Sequence, residues 1–189
     1  KQAWNNLNIQ YIRFIRTTDE DHIKIAQEFL QKLYEKNAID PKPRLYKGLY
    51  CIGHEKFMSK EELINGLCPD HQTKPIEHSE ENYYFKLSEF NDLIREAIES
   101  HKFEIVPEFR KNEILKLLET GLNDISISRP RKNLSWGVPV PGDESQVMYV
   151  WIDALSNYIT VLGYPDNAEW KDYWPADVQV IGKDILRFH

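Results

Sequence analysis

Apolar positions recur at helical spacing in the first part of the chain, just after a short strand-like segment. Residues 10–17 alternate loosely between apolar and polar side chains, which predicts a strand. Thr18 is placed to cap a helix that packs one apolar face against a core. That face consists of Ile23, Ala26, Leu30 and Leu33. A strand followed by such a helix is the pattern of one βα unit.

The pattern changes between residues 43 and 86, where glycines and prolines separate short aromatic segments. This part of the chain predicts a small β-rich insertion. Two helical patterns follow it, one after Ser88 and one between Pro107 and Gly121. From residue 124 onward, short apolar strands alternate with helix starts, as in α/β proteins. We therefore divide the chain into the segments 1–42, 43–86, 87–123 and 124–189.

The composition indicates a globular protein rather than a membrane protein or a disulfide-rich one. Hydrophobic residues make up 41% of the chain and aromatic residues 12%, which is enough to build a core. No stretch reaches the roughly 20 apolar residues that a membrane helix needs. The two cysteines cannot form a disulfide framework, and residues 1–6 lack the apolar core of a signal peptide. We expect no membrane partner and a reducing, cytoplasmic location, with an organellar matrix as the alternative.

The formal net charge is −6, which argues against a chain that binds nucleic acid through its overall charge. Any contact with nucleic acid is therefore expected to be local. The candidate is the basic cluster of Arg129, Arg131 and Lys132, although short basic clusters are more often solvated turns.

Two Cys-x-x-His knuckles lie in the predicted insertion, separated by 13 residues. Together they offer two thiolates and two imidazoles, the tetrahedral set that structural zinc accepts. Zinc would fix an insertion that is too small to hold a large core. The alternative is a pair of buried thiols with two surface histidines. The four candidate ligands are Cys51, His54, Cys68 and His71.

Two segments near the end of the chain have the pattern of a strand that runs into a helix start, Tyr149–Ala154 and Val178–Asp184. Open parallel α/β sheets bind ligands where their strands end, so a ligand site is expected here. Trp151 offers an aromatic face to a ligand, although a tryptophan on a strand is also an ordinary core residue. Gly182 lets the backbone approach a nucleotide, whereas Asp184 also fits a helix cap.

Several strings of residues together resemble methionyl-tRNA synthetases, a family of class I aminoacyl-tRNA synthetases. They occur in the order of that family and cover nearly the whole chain. The strings are Phe14–Asp19, Asp124–Arg129, Trp136–Gly142, Tyr149–Ala154 and Val178–His189. The resemblance implies part of a Rossmann-like parallel sheet that the insertion interrupts. It also implies ATP-dependent activation of methionine to methionyl-adenylate, with Mg²⁺ accompanying ATP, and transfer of the methionyl group to tRNA(Met).

The same resemblance assigns roles to individual residues. Arg129 would stabilise phosphate charge as the adenylate forms, although a lone arginine beside a proline is equally a turn residue. Gly182, Lys183 and Asp184 would bind ATP, and Asp184 would accept hydrogen bonds from the ribose hydroxyls. The methionine pocket would be lined by Trp151, Ala154, Tyr158, Ile185 and His189. Many members also carry Cys-x-x-Cys knuckles in the insertion, whereas this chain has histidine at both second positions.

In the resembled family, the HIGH and KMSKS motifs that bind the ATP phosphates lie upstream and downstream of this region. We therefore expect the chain to be an internal piece that does not catalyse alone. Two other interpretations stay open at this point. One is a class I synthetase for a branched aliphatic amino acid, and the other is a non-catalytic, zinc-stabilised module that binds tRNA or protein.

Overall fold

The computed structural model describes residues 2–54 and 56–189, in which short strands alternate with helices. The helices are α1 Gln2–Asn6, α2 Glu20–Glu35, α3 Asn91–Glu99, α4 Glu108–Glu119, α5 Val150–Thr160 and α6 Trp170–Tyr173. The strands are β1 Arg44–Cys51, β2 Lys56–Met58, β3 Ile76–Asn82, β4 Tyr84–Phe85, β5 Ile125–Ser126, β6 Ser128–Pro130, β7 Pro139–Val140 and β8 Asp143–Met148. Short 3-10 turns lie at Lys60–Glu62, Leu87–Phe90 and Lys183–Phe188.

A three-stranded antiparallel sheet forms where the sequence predicts a β-rich insertion. Its strand order is β2-β1-β3, and β1 pairs with β3 over seven residues, from Arg44 opposite Asn82 to Tyr50 opposite Ile76. The ring of Phe57 on β2 makes edge contacts with aromatic rings on β1, which hold this pair of strands together. The β-rich character of this part is therefore observed, whereas the division of the chain into four segments stays a prediction.

The predicted Rossmann-like parallel sheet is not found among the described residues. All three sheets there, β2-β1-β3, β4-β5 and β6-β8-β7, pair their strands antiparallel. The segments 10–17 and 178–181, which the pattern predicts as strands, have no strand pairing. A strand needs a neighbour for its backbone N–H and C=O groups, and Ile12, Val178 and Val180 instead expose their side chains to solvent. The fold is mixed α/β with antiparallel sheets in this part of the chain.

Helix α2 forms the main core together with the sheet β6-β8-β7. Its apolar face packs as the sequence predicts, with Ala26 and Leu30 fully buried. The predicted cap was wrong by one residue, because Asp19 and not Thr18 precedes the helix, and the Asp19 carboxylate accepts the backbone N–H of Arg16. A second, smaller core forms between α3 and α4, around Ile98. The main core places α2 directly against α5.

Glu80 on β3 links the sheet β2-β1-β3, which we call the insertion sheet, to the main core. It is buried, and its carboxylate accepts hydrogen bonds from Asn82 Nδ2 (3.2 Å), Asn133 Nδ2 (2.9 Å) and His78 Nε2 (3.1 Å). The Arg129 Nε lies 3.8 Å from its Oε2. Burial alone would raise the pKa of Glu80, but these hydrogen bonds and the arginine charge outweigh it and hold the pKa below its ordinary value.

Within residues 2–54 and 56–189, no helix has the length and apolarity needed to span a bilayer. The longest described helix, α2, has 16 residues and carries charged side chains along its exposed face.

Leu30→Ala tests the main core. Leu30 is 1% exposed, so we expect the substitution to lower the free energy of unfolding by about 2 to 5 kcal/mol, because it leaves a cavity. The matched control is Leu93→Ala on α3, where the leucine is 61% exposed. Urea unfolding followed by circular dichroism measures both. Equal effects of the two substitutions would show that α2 does not carry the core.

Glu80→Gln tests the buried carboxylate. Because the pKa of Glu80 is lower when folded, its charge stabilises the protein above the ordinary pKa of about 4.3. That stabilisation is lost as the pH falls through the folded value. We expect the variant to be less stable than the wild type at neutral pH and the difference to shrink below about pH 4. Glu81→Gln, at the adjacent exposed position, is the control. A stability difference that does not change with pH would contradict this account.

Candidate active site and metal centre

Helix α5 carries the first part of the candidate ligand site. Strand β8 ends at Met148, Tyr149 turns the chain, and the helix begins at Val150. Trp151 therefore lies in the first turn of a helix and not at a strand end, which corrects the sequence-based placement. Ala154 and Tyr158 follow on the same face of α5, since residues three and four apart are neighbours on a helix. All three side chains are half-buried.

The 3-10 turn Lys183–Phe188 brings the end of the chain against this face of α5. The ring of Phe188 stacks on Trp151 with their centroids 4.6 Å apart, and the His189 ring meets Trp151 edge-on at 6.1 Å. His189 Nε2 lies 3.0 Å from the Tyr158 hydroxyl. Trp151, Tyr158 and His189, which the sequence assigns to one pocket, are thus brought together from segments 31 to 38 residues apart.

Two hydrogen bonds hold the His189 ring, and one of them shows that its Nδ1 carries a proton. Its Nδ1 lies 3.0 Å from the carbonyl oxygen of Ile185, which can only accept, so Nδ1 donates. The Nε2 atom pairs with the Tyr158 hydroxyl, which can donate or accept. The half-buried Ile185 side chain packs beside Gly182 at the start of the turn. The arrangement brings an imidazole, an indole and a phenol together in one small region.

Gly182, Lys183 and Asp184 lie at the start of the same 3-10 turn, and all three are exposed. The sequence predicts a strand before them and an α-helix after them. The structure instead has an unpaired segment followed by a six-residue 3-10 turn. These residues therefore face solvent beside the aromatic cluster, and their role toward ATP stays a prediction.

Arg129 is held in place from several sides. It lies on β6 opposite Val147 of β8. Its Nη1 donates to Ser126 Oγ at 2.7 Å and to the Ser128 carbonyl at 2.8 Å. The guanidinium also lies 4.3 Å above the ring of Tyr149, the residue that precedes α5, and Glu80 approaches its Nε. Arg129 is therefore a fixed cation at the start of the helix that carries Trp151.

Sequence reasoning did not single out Phe188 or Glu80 as contributors to this region. Phe188 directly precedes His189 in a helical turn, so an aromatic neighbour for Trp151 could have been sought there. Glu80 faces inward in β3 together with His78 and Asn82, since alternate residues of a strand share a face. A charged residue at an inward position was the available signal.

The four candidate zinc ligands lie together beside the insertion sheet. The metal-binding atoms of Cys51, His54, Cys68 and His71 all lie within 4.8 Å of one another. The Cys68 Sγ is 3.5 Å from Nδ1 of each histidine, and the Cys51 Sγ is 3.7 Å from Nδ1 of His71. Both cysteines are buried. Two thiols and two imidazole nitrogens at these separations fit the donor set of a tetrahedral zinc site.

The surroundings of the cluster also suit a metal. Asp70 Oδ2 lies 2.9 Å from Nε2 of His54, so it orients that ring with its Nδ1 toward the sulfurs, as carboxylates do beside metal-bound histidines. A Cβ at Gly53 would lie 2.5 Å from the His71 ring, so only glycine lets this ring approach. Burial alone would raise the pKa of the Cys51 thiol, but hydrogen bonds from the His54 backbone and from Cys68 hold it below its ordinary value. A lowered thiol pKa favours the thiolate that a metal binds.

The whole chain matches the family described as tRNA synthetases class I (M), over residues 1–75 and 60–189. It is 50% identical over 193 residues to the methionine–tRNA ligase of Clostridium perfringens, covering 100% of this chain and 29% of the relative. It is 44% identical to the methionine–tRNA ligase of Thermotoga maritima, covering 100% of this chain and 30% of the relative.

Among solved structures, the Mycobacterium tuberculosis methionyl-tRNA synthetase bound by methionyl-adenylate superposes with a TM-score of 0.87 at 39% identity, covering 100% of this chain and 38% of that one. The chain thus spans about a third of the length of the relatives it matches. At these identities over its full length, the chain belongs to the methionyl-tRNA synthetase family of class I aminoacyl-tRNA synthetases.

Proposed function

We propose that this chain is part of a methionine–tRNA ligase, which activates methionine with ATP and transfers it to tRNA(Met). The observation that carries the proposal is the meeting of Trp151, Tyr158 and His189 in one cluster, at the place that the resemblance assigns to methionine. The solved relative with a TM-score of 0.87 is named as bound by methionyl-adenylate. Because the chain is only about a third of its relatives, the complete activity belongs to a longer enzyme.

The methionine side chain is proposed to lie against the aromatic cluster. A thioether packs favourably on an indole face, and Trp151 offers one at the edge of the pocket. Ala154 leaves room between Trp151 and Tyr158, and Ile185 adds an aliphatic wall. His189, held by its two hydrogen bonds, completes the pocket.

The reaction joins the methionine carboxylate to the α-phosphate of ATP. A carboxylate oxygen forms a bond to the α-phosphorus while the bond from that phosphorus to the pyrophosphate oxygen breaks. Such a transfer depends on positioning and on stabilising spreading negative charge, and no enzyme nucleophile is needed. Arg129 supplies a preorganised cation. Gly182, Lys183 and Asp184 are proposed to bind ATP, with the Asp184 carboxylate accepting from the ribose hydroxyls and Mg²⁺ accompanying the phosphates.

The Rossmann-like parallel sheet that the sequence predicts is also part of this proposal. Residues 10–17 and 178–181 lie outside the strands and helices of the described chain and expose apolar side chains such as Ile12 and Val180. We infer that both segments pair as parallel strands with other parts of the complete enzyme, which would bury these side chains and complete a Rossmann-like sheet. We expect such a translation enzyme to act in the cytoplasm, with an organellar matrix as the alternative.

Zinc is the metal that the cluster of Cys51, His54, Cys68 and His71 is proposed to hold. A bound zinc would cross-link the end of β1 to the turn after Cys68, and so stabilise an insertion whose own apolar core is small. Its role is structural, because all four protein ligands close the coordination shell and leave no open position.

Elemental analysis of the complete enzyme tests the zinc site. We expect the wild type to keep about one zinc per chain at this site after dialysis against a chelator. His71→Ala should lose that zinc, because it removes one of the four donors. The matched control His101→Ala, at an exposed histidine outside the cluster, should keep it. Equal zinc in the two variants would rule out this site.

Trp151→Ala in the complete enzyme tests the methionine pocket. Losing the indole should lower kcat/KM for methionine by on the order of 10- to 100-fold, the range for one missing apolar contact. Methionine-dependent exchange of pyrophosphate into ATP, measured without tRNA, gives this value. The control is Trp136→Ala, whose side chain is 66% exposed.

An unchanged exchange rate in Trp151→Ala would contradict the pocket. Exchange that responds to a branched aliphatic amino acid and not to methionine would favour another class I synthetase. Absence of any amino-acid-dependent exchange in the wild type would favour a binding module.

A further inference from the structure

We propose that His22 is a positioning residue, which holds helix α5 so that its aromatic face points into the methionine pocket. This inference rests on the proposed function. His22 lies on α2 and is 0% exposed. Its Nε2 is 2.6 Å from Asp153 Oδ1, and its Nδ1 is 2.8 Å from Thr160 Oγ1. Both partners belong to α5, so His22 would act on the substrate through that helix and not by touching it.

The two contacts hold α5 from the side opposite to the pocket. Successive residues of an α-helix are rotated by about 100°. Trp151 and Tyr158, seven residues apart, therefore share one face. Asp153 and Thr160, also seven apart, share a second face that is displaced by two residues, or about 200°. One side of α5 thus carries the aromatic cluster, and the other side carries the polar pair that His22 binds.

The chemistry of the three groups gives a complete set of hydrogen bonds. The Asp153 carboxylate accepts, so the Nε2 of His22 carries a proton and donates to it. The Nδ1 atom pairs with the Thr160 hydroxyl, which can donate or accept. Each ring nitrogen is used once, and the partners lie near the two ends of the helix. Hydrogen bonds are directional, so bonds at both ends fix the rotation of α5 and its position along its axis. Apolar contact alone would fix them less well.

The consequence for the reaction is specific. A small rotation of α5 would move Trp151 and Tyr158 relative to the 3-10 turn that carries His189, and would break the 3.0 Å contact between Tyr158 and His189. Loss of a His22 hydrogen bond to Asp153 or Thr160 should therefore weaken methionine binding. The proposed ATP residues Gly182, Lys183 and Asp184 lie on the other element, so ATP binding should change less.

The test uses the complete enzyme and the pair Thr160→Val and Thr160→Ser. Valine matches threonine in shape but lacks the hydroxyl, whereas serine keeps it. We expect Thr160→Val to raise the KM for methionine about tenfold, the equivalent of one lost buried hydrogen bond. The KM for ATP should stay within about twofold, and Thr160→Ser should restore the methionine KM to within about twofold of wild type. Steady-state exchange of pyrophosphate into ATP gives all of these values.

A second variant addresses the other ring nitrogen. His22→Gln can place an amide N–H near the position of Nε2 and so keep the bond to Asp153, and it should impair methionine binding no more than Thr160→Val does. Thermal unfolding of each variant separates folding from positioning. The proposal is overturned if Thr160→Val is less stable but keeps its methionine KM, or if the methionine and ATP KM values rise together. A wild-type enzyme without methionine-dependent exchange would instead refute the proposed function.

Discussion

Helix α5 depends on a buried polar contact with α2, and the candidate site is arranged around that helix. His22 binds Asp153 and Thr160 at 2.6 and 2.8 Å in a fully buried position. Buried polar groups are costly unless they are paired, so this contact favours one placement of α5 over nearby alternatives. With α5 placed, Trp151 faces the end of the chain, and Tyr149 lies under the Arg129 guanidinium. One contact in the core thus determines where the groups on the surface can meet.

A second polar network joins the sheet β2-β1-β3 to the same region. Glu80 reaches from β3 toward Arg129 on β6, and three hydrogen-bond donors keep it charged although it is buried. At the other end of the insertion, the cysteines and histidines gather where β1 ends. The sheet β2-β1-β3 is therefore anchored to the main core by a carboxylate and, in our proposal, stabilised internally by a metal. A polar anchor and a metal site both suit a small sheet that buries few large apolar side chains.

The sequence predicted local elements well and long-range pairing poorly. The helical stripe around Leu30 and the four metal-ligand candidates follow from spacing within short segments, and the structure places both as expected. The strands predicted at residues 10–17 and 178–181 are not found among the described residues, because alternation reports which side chains could be buried and not whether a partner strand is present. His22 was missed because its partners lie 131 and 138 residues away. A buried histidine within an apolar stripe gave no signal of its own.

The central claim is that Tyr158 on α5 and His189 on the terminal turn form one methionine site, and a double-mutant cycle measures this directly. The dissociation constant of methionine would be determined by equilibrium dialysis for the complete enzyme with Tyr158→Phe, with His189→Ala and with both. Groups in contact show coupling of about 0.5 to 3 kcal/mol. Removing the Tyr158 hydroxyl should therefore raise the dissociation constant of methionine only while His189 is present. Two effects that simply add, or no effect of either substitution on methionine binding, would contradict the account.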